Sequence, residues 1–198
     1  MKQQVHIFDF DGTLTRKDTF IEIIRYVRGG RMLLWGLLRY SPLLIGMKLG
    51  LYPNWKAKQR VFSYFFKGMT ETEFRQWCER FAADRATLLR PAAIQTLSRV
   101  QALGLRTLVV SASIDWWVMP FLTGMPSVEV LGTRLEVTDG LLTGHFLTAN
   151  CYGAEKVRRV RQVLTLPRSS YDITAYGDSR GDKELLDYAD QGYYKPFR

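Results

Sequence analysis

At 198 residues the chain has room for one domain, or for a core domain carrying a modest insertion. Hydrophobic residues make up 46% of it, enough to fill a packed core and too many for a disordered chain. The net charge of +9 sits in one segment, because residues 16–67 carry eleven Lys and Arg against only Asp18 and Glu22. Cys78 and Cys151 match no metal-ligand spacing and read as free thiols of a reducing compartment. Residues 1–4 lead straight into a strand-like run with no signal-peptide pattern. The expected location is therefore cytoplasmic, in solution or peripheral to a membrane.

Taken in order, residues 5–10 form a buried strand that ends at a Gly-Thr loop. Residues 19–28 place apolar side chains at helical spacing, and Gly29-Gly30 is expected to end that helix. Residues 31–50 are rich in Leu, Met and Trp, but Arg39, Ser41-Pro42, Gly46 and Lys48 interrupt them. Two further helices are predicted over 55–66 and 70–89, the second capped by Thr70 with Glu73 three residues on. From Pro91 the texture changes. The spacing predicts a helix over 92–103, a strand over 106–111 and a short helix over 115–121. Strands over 128–137 and 141–148 flank an Asp139-Gly140 turn. A helix over 154–164, a strand over 172–176, a helix over 183–188 and a strand near 192–194 follow.

Alternation of this kind argues for an α/β fold with a mostly parallel sheet covered by helices. The helical block interrupts it near the start, so residues 16–90 read as an inserted cap and residues 1–15 and 91–198 as the core. Ligand chemistry in such sheets gathers at the carboxyl ends of the strands, where Asp9, Ser111 and Asp178 fall.

The strongest signal is Asp9-Phe10-Asp11-Gly12-Thr13-Leu14-Thr15. Two carboxylates flanking one residue at a strand end can be aimed into one pocket by a turn, and Gly12 lets the backbone leave the strand sharply. One carboxylate can attack phosphorus while the other protonates the leaving oxygen and later activates water. Gly177-Asp178-Ser179-Arg180-Gly181-Asp182 adds two more acids on a glycine-punctuated loop. Four carboxylates repel one another unless a hard cation sits among them, and oxygen-only ligands favour magnesium over zinc. Lys156 could cancel that repulsion and hold a phosphate, and Ser111 could bind phosphate with the backbone N–H of Ala112. His6 and His145 lie in strand patterns and carry no assigned role.

The order Asp-x-Asp-Gly-Thr, Ser, Lys, Gly-Asp-x(3)-Asp resembles the haloacid dehalogenase-like phosphohydrolases across nearly the whole chain. That resemblance implies a Rossmann-like core with Asp9 as nucleophile, Asp11 as general acid/base, Ser111 as phosphate binder and Lys156 as the charge-neutralising lysine. It implies Mg2+ held by Asp178, Asp9 and the Asp11 carbonyl, with Asp182 in support. An acid at position 11 suits phosphatases and phosphotransferases, and no residue separates hydrolysis from transfer.

A helical cap after the first motif is similar to subfamily IB, the phosphoserine-phosphatase-like branch, in which Asp18 would face the substrate. Two departures count against phosphoserine itself: Ser111-Ala112-Ser113 replaces the usual Ser-Gly-Gly, and Gly181 stands where an Asn normally precedes the last Asp. The apolar runs 32–38 and 43–49, with their border of Arg31, Arg39 and Lys48, are too broken to span a membrane. They suit an interfacial helical pair facing anionic lipid, and the cap is similar to the bacterial phosphatidylglycerophosphatase C type. The substrate expected is thus a phosphorylated small molecule or a lipid head-group phosphate. Nucleic acid fits poorly, because the aromatics of the basic segment cluster in apolar helical runs. The presence of both acidic motifs argues against a non-catalytic membrane-surface protein.

Overall fold

The computed structural model describes residues 2–198. Its seven strands are β1 (Gln3–Phe8), β2 (Arg106–Ile114), β3 (Val128–Thr133), β4 (Leu135–Thr138), β5 (Leu141–Phe146), β6 (Tyr171–Gly177) and β7 (Gln191–Tyr194). Five of them pair, all in parallel, in the order β3-β2-β1-β6-β7. Placing β1 at the centre requires it to be apolar on both faces, and Val5, Ile7 and Phe8 are fully buried. Alternation sends neighbouring residues to opposite layers: Ile7, Leu108 and Val110 join one apolar cluster, Phe8 and Val109 the other.

Helices α1 (Thr19–Arg39), α2 (Ser41–Lys48), α3 (Asn54–Phe66) and α4 (Glu71–Asp84) form the block after β1. The core helices are α5 (Pro91–Ala102), α6 (Asp115–Val118), α7 (Ala154–Val163) and α8 (Lys183–Tyr188). The chain enters and leaves the helical block side by side. Thr15 and Leu89 form an antiparallel bridge, with Arg16 N–H on the Leu88 carbonyl and Arg90 N–H on the Leu14 carbonyl.

Three local expectations need correction. The helix over 19–28 does not end at Gly29: the glycine takes φ +82°, which kinks α1, and the helix resumes to Arg39. The helix begun at Thr70 stops at Asp84 and is followed by a short 3₁₀ turn at Ala86–Leu88, although Thr70 caps it as expected by accepting the Glu73 N–H. The strand over 128–137 is two strands. Its first half pairs with β2 in the core sheet, and after Arg134 the chain turns into the β4–β5 hairpin. That hairpin docks on the helical block. Leu142 of β5 accepts the Gly68 N–H and donates its own N–H to the Met69 carbonyl in the loop before α4, and Glu71 N–H reaches the Gly140 carbonyl.

Candidate active site

β1 ends at Asp9, and the chain then makes one tight turn from Phe10 to Leu14, closed by the Thr15 N–H on the Phe10 carbonyl. Gly12 sits in that turn at φ +81°, against the Asp178 carboxylate. A Cβ there would lie 2.4 Å from Asp178 Oδ2, so two loops meet at a spot with no room for a side chain. Gly12→Ala is accordingly expected to distort the Asp178 loop and lower activity at least tenfold, with a loss of stability from backbone strain of about 1–2 kcal/mol that lowers Tm. Steady-state kinetics and thermal melting would check this, and an unchanged pair of values would show that the loops yield freely.

Asp9 and Lys156 form the buried centre. Lys156, 2% exposed, donates to Asp9 Oδ1 at 2.5 Å, to Asp182 Oδ1 at 2.6 Å and to the Val110 carbonyl at 2.9 Å. All three ammonium hydrogens are thereby used. Burial alone would lower its pKa, but the two carboxylates outweigh burial and hold it charged. Burial pushes the Asp9 carboxyl up to about 7, against the pull of Lys156. Asp182 goes the other way: burial opposes it, yet Lys156 and the Ser179 donors hold it below its ordinary value. Its second oxygen accepts from the Asp178 N–H, the Ser179 N–H and the Ser179 hydroxyl. Asp178 leaves Oδ1 buried with no partner among the described residues, while Oδ2 meets the Arg198 guanidinium.

The Asp11 carboxylate has partners outside this cluster. Its Oδ1 accepts from the Thr19 N–H at 2.7 Å and the Thr19 hydroxyl at 2.5 Å, and its Oδ2 accepts from the Ser113 hydroxyl. Trp117, fully buried, donates its indole N–H to Thr19 Oγ1. Asp11 is therefore held by the start of α1 and the end of β2 together.

These groups open onto one cavity of about 540 Å³ between the core and the helical block. Asp9, Asp11, Lys156 and Asp178 form its core side, with Ala112 beside them. Asp18 lines the cavity and also caps α1, accepting the Phe20 and Ile21 N–H groups. Ser111 differs from expectation. β2 runs on to Ile114, so Ser111 does not end the strand, and its fully buried hydroxyl accepts the Ser113 N–H at 3.0 Å behind Ala112. Asp182 likewise stands behind the cavity wall rather than on it.

Lys58 of α3 was visible in the sequence only as one charge among eleven. It reaches across the cavity to the Ala112 carbonyl at 2.9 Å, over the Phe20 ring. Burial lowers its pKa against the raising effects of Asp18 and Asp11. Ser113 and Thr19 carried no signal beyond their neighbours' motifs, since their partner Asp11 is reached only through the fold. Gly181 has a local reason: a Cβ there would lie 2.3 Å from the Tyr152 ring, which lines the cavity.

A parallel sheet with acids gathered at its carboxyl edge, and a helical block after the first strand, places a candidate active site of an α/β enzyme between the two. The model of the haloacid dehalogenase-like hydrolases matches residues 7–187, and the chain belongs to that family. Protein CicA of Caulobacter vibrioides is 37% identical over 199 residues, covering 96% of this chain and 85% of that protein. A protein of unknown function from Bordetella pertussis Tohama I shares the fold with a TM-score of 0.81, at 22% identity over 94% of this chain and 87% of that one. A phospho-aspartyl intermediate analogue of phosphoserine phosphatase superposes with a TM-score of 0.65, at 21% identity over 98% of this chain and 86% of that one.

Proposed function

We propose that this hydrolase is a magnesium-dependent phosphatase of phosphate monoesters, working through an aspartyl phosphate on Asp9. One observation carries the reading: Lys156 holds Asp9 by Oδ1 at 2.5 Å, and among the described residues nothing bonds Oδ2 beside a cavity that Asp11 also lines. In the first step Asp9 Oδ2 bonds to phosphorus, the bond to the leaving oxygen breaks, and Asp11 gives that oxygen a proton. In the second, a water oxygen bonds to phosphorus and its proton passes to Asp11. The Asp9–phosphorus bond breaks, and inorganic phosphate leaves. Ala112 offers its N–H to phosphate oxygens, with the Ser111 hydroxyl behind it, and Lys58 adds a cation from the opposite wall. Residues 16–90 act as the cap over a core of 1–15 and 91–198, with Asp18 facing the substrate. The phosphoserine phosphatases that share the fold support this branch.

The donor set fits a magnesium ion. Carboxylate oxygens of Asp9, Asp178 and Asp182 lie within 4.8 Å of one another, and the buried Asp178 Oδ1 has no other partner. Asp9, Asp178 and the Asp11 carbonyl would hold the ion, with Asp182 orienting the Asp178 loop. Bound there, it neutralises phosphate charge so that an anionic nucleophile can approach an anionic ester.

The test is hydrolysis of p-nitrophenyl phosphate with magnesium titrated at several pH values. Activity is expected to vanish in EDTA and return with magnesium. Protons compete with the ion for Asp9, whose carboxyl is pushed up to about 7. Apparent magnesium affinity should therefore tighten between pH 6 and pH 8, by up to about tenfold per unit below that value. Full activity in EDTA would end the metal-dependent reading.

A further inference from the structure

The phosphatase chemistry asks Asp11 to give and take a proton, and its two carboxylate oxygens are not equally free to carry one. Oδ1 accepts two donors, the Thr19 N–H at 2.7 Å and the Thr19 hydroxyl at 2.5 Å. Oδ2 accepts one among the described residues, the Ser113 hydroxyl. A carboxylate oxygen offers two lone-pair positions, so Oδ1 is filled while Oδ2 keeps one open.

The donors around Asp11 are fixed in turn. Thr19 is fully buried, and its hydroxyl oxygen accepts the Trp117 indole N–H at 3.1 Å while its single proton goes to Asp11. Trp117 is itself fully buried and stacks on Phe20 with ring centres 6.2 Å apart. Its N–H therefore has no water to turn to. Ser113 is fully buried as well, with its N–H on the Ser111 hydroxyl at 3.0 Å and its own hydroxyl 3.4 Å from Thr19 Oγ1.

Ser113 comes to this place through an irregularity of β2. Pairing with β3 passes from Val110–Leu131 directly to Ile114–Thr133, so β2 carries extra length between those pairs. Extra residues in a strand break its alternation and re-aim the side chains they carry. Asp11 lines the cavity, whereas Ser113, Thr19 and Trp117 do not. Whatever these three contribute to the reaction therefore passes through Asp11.

We propose that Ser113 is a positioning residue for the transferable proton of Asp11. Thr19 fills both sites on Oδ1 and Ser113 fills one on Oδ2, so the proton is carried by Oδ2 in the one site left. Trp117 keeps the arrangement by holding Thr19. In the first step the proton passes from Oδ2 to the leaving oxygen as that oxygen's bond to phosphorus breaks. In the second step the attacking water returns a proton to the same site. This deepens the phosphatase reading and rests on it.

Leaving-group dependence tests the assignment. p-Nitrophenolate departs with little need of a proton, whereas phenolate needs one more, so misplacing the acid penalises phenyl phosphate further. In Ser113→Ala the ratio of kcat/KM for p-nitrophenyl phosphate over phenyl phosphate should rise by about tenfold or more. Trp117→Phe, which keeps a ring and loses the N–H, should raise the ratio in the same direction by a smaller factor. Adding Ser113→Ala to Asp11→Asn should leave the ratio of Asp11→Asn unchanged, because the acid through which Ser113 acts is already gone. A merely structural role would lower both substrates alike. An unchanged ratio in Ser113→Ala, or a further rise in the Asp11→Asn background, would overturn the proposal. If Ser113→Ala does not melt cooperatively, the ratio in Trp117→Phe decides. A wild-type chain that cleaves neither ester would instead end the phosphatase reading, and this proposal with it.

Discussion

Asp9→Asn is expected to lower kcat/KM on p-nitrophenyl phosphate by about 10⁴-fold or more while leaving the fold intact. Asn keeps the shape and an oxygen for Lys156, so the buried contact at Oδ1 can persist. What it lacks is an anionic oxygen able to bond to phosphorus. The stability effect has a definite sign. Burial raises the Asp9 carboxyl to about 7, so the folded wild-type protein loses stability as pH climbs from the ordinary carboxylate range towards that value. A neutral Asn does not titrate, so at pH 8 in EDTA the variant should melt at or above the wild-type temperature. Activity within tenfold of wild type would remove Asp9 as the nucleophile. Loss of activity together with loss of fold would show that the side chain is needed for structure.

Much of the core could be read from the chain because its strands are local: an apolar run, then a polar stop. β1, β6 and the acidic loops after them follow that rule, and the turn at Gly12 follows from the residues that form it. What escaped depends on partners far away in sequence. The run 128–137 has one continuous strand pattern. It divides at Arg134 only because its first half pairs with β2 and its second half with β5, which docks on the helical block. Ser113 carries no signal of its own until the fold brings it to Asp11, 102 positions away. Lys58 is only one charge among eleven until α3 brings it to the Ala112 carbonyl. Lys156 shows the opposite case, since its position between the acidic motifs was informative although its helix was not. The cavity wall supplied by the helical block is the least legible part, because α1 buries Leu33 while it exposes Leu34 and Leu38.

Lys156→Met should be the most destabilising single change in the site, and its cost should depend on pH. Met preserves length and most of the volume, so packing around the stem is retained. The charge is lost, and with it the three hydrogen bonds to Asp9, Asp182 and the Val110 carbonyl. Two buried carboxylates are then left facing each other without a cation, a situation that costs about 3–5 kcal/mol when one partner of a buried pair is removed. Asp182 is held low in the wild type by Lys156, against burial, and so contributes stability above the ordinary carboxylate range that fades as pH falls. Without the lysine both carboxyls shift upward and take up protons as pH falls, which relieves the repulsion. The melting-temperature gap between variant and wild type, measured in EDTA, should therefore be widest near pH 8 and narrow towards pH 5. A gap independent of pH would mean that the lysine stem, rather than its charge, stabilises the site. Activity should fall as well, because Asp9 is then neither oriented nor kept ionised for attack on phosphorus.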